Sequence, residues 1–133
     1  MKIVKTLLLT AAVLISASAY AGSVKLPKAD PLIGHWCLKQ EEGVNGAPAS
    51  IYERMQGSDC GSNVDVDGYL SISQSGYSGH EVGCSFIELN QLHDGWLAIS
   101  KCGFGDEYDS NAALEFRIVG RTLHIRVMAA TEK

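Results

Sequence analysis

The sequence predicts an all-β fold: an antiparallel meander closing into a small barrel of about eight strands, stapled by two disulfides. Three observations carry this. Short apolar-rich stretches recur along the chain, separated by Gly, Asn and Asp. No segment after the first 21 residues sustains helical periodicity. The four cysteines, even in number, all follow a segment that reads as an export leader.

That leader has three parts. Lys2 and Lys5 give a positive start, Thr6 to Ile15 is almost purely apolar, and small residues run to Ala19-Tyr20-Ala21. This is the order of a secretory signal peptide over residues 1–21, with an A-x-A cleavage site. The apolar run is too short for a permanent membrane helix, which needs about 20 residues. The expected product is exported to the periplasm or the medium, with no stable membrane insertion after cleavage. Residues 22–31 read as a flexible segment, because Pro27 and Pro31 block regular structure. Residues 32–133 read as one barrel domain. The net charge is −4, and the leader takes Lys2 and Lys5 with it. An acidic domain without a basic cluster is a poor partner for nucleic acid or an anionic membrane.

Candidate strands are Ile33–Lys39, Ser50–Met55, Tyr69–Gln74, Glu81–Leu89, Trp96–Cys102, Ala112–Val119 and Thr122–Met128, with room for one more. The breakers include Asn45-Gly46, Asp67-Gly68, Ser75-Gly76, Asp94-Gly95 and Gly120-Arg121. A two-residue type II′ turn at Gly120-Arg121 sets the last hairpin in register. Val119 then faces Thr122, Ile118 faces Leu123, Phe116 faces Ile125 and Leu114 faces Val127. The last three pairs share one face, because side chains alternate with period two. On the other face Glu115 meets Arg126, an opposite-charge pair worth about 0.2–1 kcal/mol, and Arg117 meets His124.

The preceding hairpin yields the disulfides. Placing Ile87 opposite Ile99 and Leu89 opposite Leu97 brings Cys84 opposite Cys102, about 4.5–5.5 Å apart at Cα and within bridging reach. Cys37–Cys60 follows by elimination. This register puts Cys84 and Cys102 on the face away from the four aliphatic residues, the outer one unless a β-bulge intervenes.

Few motifs point to chemistry. No C-x-x-C suggests zinc or redox function. Asn63, Asp65, Asp67 and Gly68 partly match a calcium loop, but Gln74 stands where a bidentate carboxylate belongs, so an Asp-Gly turn is the expected reading. Gly76-Tyr77-Ser78-Gly79-His80 is not G-x-S-x-G and reads as a loop. His35, His80, His93 and His124 are scattered, with His124 on the solvent face. The acidic Asp106-Glu107-Tyr108-Asp109 reads as a solvated loop. No catalytic residue, metal or cofactor is expected.

Gly34-His35-Trp36 opens the first strand. A G-x-W in that position resembles the calycin superfamily, which includes the lipocalins, and the resemblance implies that Trp36 packs across the closed end of a barrel. Ser23-Val24-Lys25-Leu26-Pro27-Lys28-Ala29, then Leu32 and Gly34-His35-Trp36, is similar to the mature start of bacterial alkaline metalloprotease inhibitors. That resemblance implies an inhibitory arm over Gly22, Ser23, Val24, Lys25 and Leu26, inserted into the cleft of a secreted zinc protease. This chain has four cysteines where that family typically has one disulfide. Trp36-Cys37, Tyr52 with Arg54, Cys60, and Tyr77 through Cys84 also resemble uncharacterised small exported bacterial proteins.

The expectation is therefore a non-catalytic binding protein with a protein partner such as a protease. One alternative is a lipocalin-like carrier of a small apolar ligand, with a void among the inward residues Ile87, Leu89, Ile99, Phe116 and Ile125. Another is a structural envelope protein.

Overall fold

A computed structural model describes residues 24–43, 46, 48–61, 68–104 and 107–132. The expected leader, Gly22, Ser23 and the calcium-loop candidates Asn63, Asp65 and Asp67 lie outside these residues. The described chain is all-β: β1 (Gly34–Gln40), β2 (Ser50–Arg54), β3 (Tyr69–Ile72), β4 (Gly76–Gly79), β5 (Val82–Leu92), β6 (Gly95–Phe104), β7 (Glu107–Val119) and β8 (Thr122–Glu132).

These eight strands close into a barrel in the order β1-β2-β8-β7-β6-β5-β4-β3, with every neighbouring pair antiparallel. Closure leaves no free sheet edge. From β3 to β8 the chain is a plain meander. At the seam the order changes, because β1 lies between β2 and β3. The connection from β2 to β3 must therefore cross β1. Trp36 faces the core, so its neighbour Cys37 faces outward. Cys37 is bonded to Cys60, which lies in that connection. The disulfide thus ties the crossing segment to the outer side of the strand it crosses.

The β7–β8 hairpin has the register its residues predict, from Val119↔Thr122 through Leu114↔Val127. Gly120 turns at φ 63°, and Arg121 is not among the positive-φ residues, as a type II′ turn requires. On the outer face Glu115 takes Arg126 at 3.6 Å and Arg117 at 3.1 Å. Past Leu114 a β-bulge at Met128 shifts the pairing to Ala113↔Ala129.

The β5–β6 pair keeps the predicted Cys84↔Cys102 match, and the two are bonded with Cα atoms 4.1 Å apart. Beyond Phe86↔Ser100 a bulge shifts the register, so Glu88 faces Ile99 and Leu89 faces Ala98. This corrects two expectations. Cys84 and Cys102 are inside, at 9% and 7% exposure, alongside Phe86 and Ser100. Ile87, at the bulge, is 48% exposed and outside; Ile99 points outward by alternation with the buried Ala98 and Ser100. Leu89, Phe116 and Ile125 remain inward.

Two segments read as loops are strands. Gly76–Gly79 is β4, pairing with β3 and β5. A Cβ at Gly76 would lie 2.0 Å from the Cys84 carbonyl oxygen, so the glycine serves close strand approach rather than a loop. Glu107-Tyr108-Asp109 opens β7, with Glu107 opposite Phe104.

The interior is filled by Leu26, Leu32, Trp36, Leu70, Ile72, Phe86, Ala98, Phe116, Leu123 and Ile125, with Tyr52, Tyr77, Trp96 and Ile118 packed against them. The Tyr77 ring meets Phe86 and Phe116 at centroid distances of 5.9 and 5.4 Å. Its hydroxyl lies 3.8 Å from Cys102 Sγ; a bridged sulfur has no proton, so the phenol is the donor. Ser100, wholly buried next to this group, meets no partner at hydrogen-bond geometry among the described residues.

Burial pushes the Tyr77 phenol above the ordinary value of 10.0. Burial, and then the charge of Glu41, does the same to Tyr52. Below pH 10 both phenols are protonated whether the chain is folded or not. As the pH rises past 10 the unfolded phenols ionise first, so stability falls until the folded groups titrate. Denaturant melts from about pH 9 to about pH 11 should show this fall. Tyr77→Phe should make it shallower, and an unchanged slope would remove Tyr77 from the account.

Candidate functional site

One end of the barrel carries the β3–β4, β5–β6 and β7–β8 turns, and the segment preceding β1 crosses it. This segment is tied down at three places around the rim. Leu26 N–H donates to the Gln74 carbonyl at 2.8 Å, and Gln74 Nε2 donates back to the Leu26 carbonyl at 2.9 Å. Asp30 accepts the Trp96 indole N–H on Oδ2 and the Leu32 amide on Oδ1. The Pro31 and Ile33 carbonyls accept from the Arg54 guanidinium. Two local turns, Asp30 N to Pro27 O and Ile33 N to Asp30 O, shape the path between these anchors.

Leu26 and Leu32 are each 1% exposed and fill this end of the barrel beside Trp36. From Leu26 onward the segment is therefore held against the barrel end. The prolines do block regular structure there, but the apolar side chains between and beyond them supply the anchors. Of the expected arm residues, Val24 is half-buried against the core, Lys25 is exposed and Leu26 is buried.

Trp36 is itself 1% exposed and donates its indole N–H to the Leu32 carbonyl at 2.9 Å. The Arg54 guanidinium lies 4.2 Å from the centre of its ring, within cation–π range. Gly34 explains how the two meet. Its φ is +141°, and a Cβ there would lie 2.7 Å from Arg54 Nη1. The Gly34-His35-Trp36 motif thus supplies an aromatic floor and the space for the cation above it.

Outside this clamp is an open groove of about 520 Å³, lined by Pro31, Trp36, Glu53, Arg54, Gln56, Ile118, Gly120 and Arg121. Glu53 is opposite Thr122 in the β2–β8 register, so Arg54 and Arg121 are the next neighbours across the strand ends. The Glu53 carboxylate is engaged by Lys39 at 3.1 Å. Arg121 makes no hydrogen bond or ion pair among the described residues.

Other expected features are dispersed. His35 faces outward and stacks on Tyr69, whose hydroxyl is 2.7 Å from His35 Nδ1. His80 and His93 are on turns, and half-buried His124 Nε2 is 3.0 Å from Thr122 Oγ1. Among the described residues no three His, Cys, Asp or Glu side chains gather as a metal site. A shallower hollow of about 290 Å³ is lined by Ser71, Ser73, Ser75, Ser78 and Ser85 on β3 to β5 and their turns.

Sequence reasoning brought Trp36 to notice but not the groove. Arg54 and Arg121 are 67 positions apart by number, and only the β2–β8 pairing that closes the barrel joins them. One signal was available in the glycine beside Trp36, which marks a close approach by another group.

No protein-family model matches the chain, and neither a curated protein nor a solved structure matches it. The likeness to metalloprotease inhibitors accordingly rests on residues 23–36 alone.

Gly34→Ala should lower stability by about 1–3 kcal/mol, through left-handed strain and displacement of Arg54. Arg54→Lys should not restore what Arg54→Ala loses, because an ammonium cannot both stack flat on Trp36 and reach two carbonyls. Urea melts with tryptophan emission check both effects. Full stability in Gly34→Ala would show that the guanidinium does not need this space.

Proposed function

We propose that this protein is an exported, non-catalytic binding protein that docks a protein partner through the N-terminal segment ahead of Leu26, at its closed end. By the resemblance of residues 23–36, the partner is a secreted zinc protease. The observation that carries the reading is the anchoring of Leu26, buried in the core and joined to Gln74 by two hydrogen bonds. An arm cut after Ala21 would run from Gly22 to Lys25, with Val24 resting half-buried against the core and Leu26 as the fixed point behind it. A short arm on a fixed base loses little freedom on binding, which favours affinity.

Two further features support recognition at the surface. Trp36, Phe116 and the aliphatic side chains around them gather in one buried cluster, which supports recognition at the surface over an interior cargo. The β1-β2 seam also departs from the simple up-and-down order of carrier barrels. The disulfides suit an oxidising compartment, consistent with the leader-like residues 1–21.

The test is a mature protein lacking residues 22–25 but retaining Leu26, assayed against a panel of secreted zinc endopeptidases. The reading expects the intact mature protein to inhibit at least one of them. The shortened form should lose roughly 100-fold or more in potency, equivalent to about 2.7 kcal/mol, while remaining folded with a melting temperature lowered only by the loss of half-buried Val24. Equal potency without the arm would overturn the arm mechanism, and no inhibition by the intact protein would overturn the choice of partner.

A further inference from the structure

We propose that the closed-end groove is a binding site for a monoanionic ligand, a carboxylate carried on a flat apolar body, held between Arg54 and Arg121. This site is separate from the arm and stands whether or not the arm inhibits a protease.

The β2–β8 register ends on Glu53↔Thr122, and the next residue beyond that pair on each strand, Arg54 and Arg121, bears a guanidinium. Like charges in that arrangement oppose each other unless an anion lies between them. The nearest candidate, Glu53, is the neighbour of Arg54 along the strand and is held by Lys39 at 3.1 Å. The bonds Arg54 makes go to neutral carbonyls and to the face of Trp36, which leave its charge uncompensated. Arg121 is exposed on its turn and free among the described residues. Both side chains line one concavity of about 520 Å³, within the size range of small-molecule sites.

The lining also selects the ligand. Arg54 is fixed by its bonds to Pro31 and Ile33, so one donor plane is set before any ligand arrives. A planar guanidinium suits a carboxylate edge-on, through paired N–H···O bonds. Pro31 and Ile118 give the groove an apolar side beside the Arg54 guanidinium stacked on Trp36, which favours a ligand with a flat hydrocarbon body over a compact ion. Glu53 at the rim, in a chain of net charge −4, disfavours a second negative charge. Together these favour an aromatic or similarly flat monocarboxylate over phosphate.

The test titrates the mature protein with benzoate, benzamide and inorganic phosphate, following the Trp36 indole N–H by NMR and affinity by calorimetry. Benzoate should shift the indole signal and saturate, whereas benzamide, its neutral isostere, should not bind. Phosphate should bind more weakly than benzoate. Arg121→Ala should weaken benzoate roughly tenfold, the scale of one lost charge-assisted hydrogen bond. Because Arg121 has no described partner, this variant should keep the parent melting temperature, and Arg121→Gln provides a second neutral replacement. No benzoate binding, equal binding of benzamide, or undiminished benzoate binding in both variants would overturn the site. Tighter binding of phosphate would overturn the monocarboxylate assignment.

Discussion

The stacking of Arg54 on Trp36 is the contact on which the closed end depends. Arg54 ends β2 and Trp36 lies near the start of β1, so their contact fixes the pairing of these strands at the rim. The same guanidinium reaches the Pro31 and Ile33 carbonyls and draws the incoming chain across the barrel. Trp36 in turn binds the Leu32 carbonyl, so cation, ring and backbone form one unit. Gly34 is the condition for that unit, since a side chain there would take the place of Arg54 Nη1. Once the unit is set, Leu32 and Leu26 lie over the core and Asp30 comes within reach of the Trp96 indole.

The disulfides meet two further constraints. A domain of this size buries a limited fraction of its surface, so covalent links matter more than in a large protein. Cys37–Cys60 restrains the crossing between β2 and β3, where strand order departs from sequence order. Cys84–Cys102 lies inside, cross-linking neighbouring strands beside Tyr77 and Ser100. Each closes a loop of 23 or 18 residues in sequence separation, for which chain entropy in the unfolded state gives about 3 kcal/mol.

What was legible in the sequence was local. The β7–β8 register followed from one turn and an alternating pattern, and it holds from Val119 to Leu114. The Cys84–Cys102 match was also readable, but not the bulge after Phe86 that turns Ile87 outward and the cysteines inward. Alternation over a few residues fixes register only until an extra residue is inserted, and Phe86-Ile87-Glu88 carries no composition signal for one. β4 was missed because Gly76-Tyr77-Ser78-Gly79 has the composition of a turn, whereas its glycine is used for close strand approach. The seam could not be read at all. Pairing of β2 with β8 and of β1 with β3 joins distant segments, and the Arg54–Arg121 groove exists only because of it.

The same end of the molecule thus carries the Arg54–Trp36 unit, the anchored segment leading into β1 and the groove lined by Arg54 and Arg121. The segment leading into β1 is part of the folded barrel from Leu26 onward. Amide hydrogen exchange of the protein without residues 1–21 tests this. The Leu26 amide, bonded to the Gln74 carbonyl, should be protected to nearly the same degree as that of Leu123 in the barrel core. Exchange of Leu26 at the rate of an open chain, with Leu123 still protected, would contradict the account: the segment would then be a loose tail and the closed end unsealed.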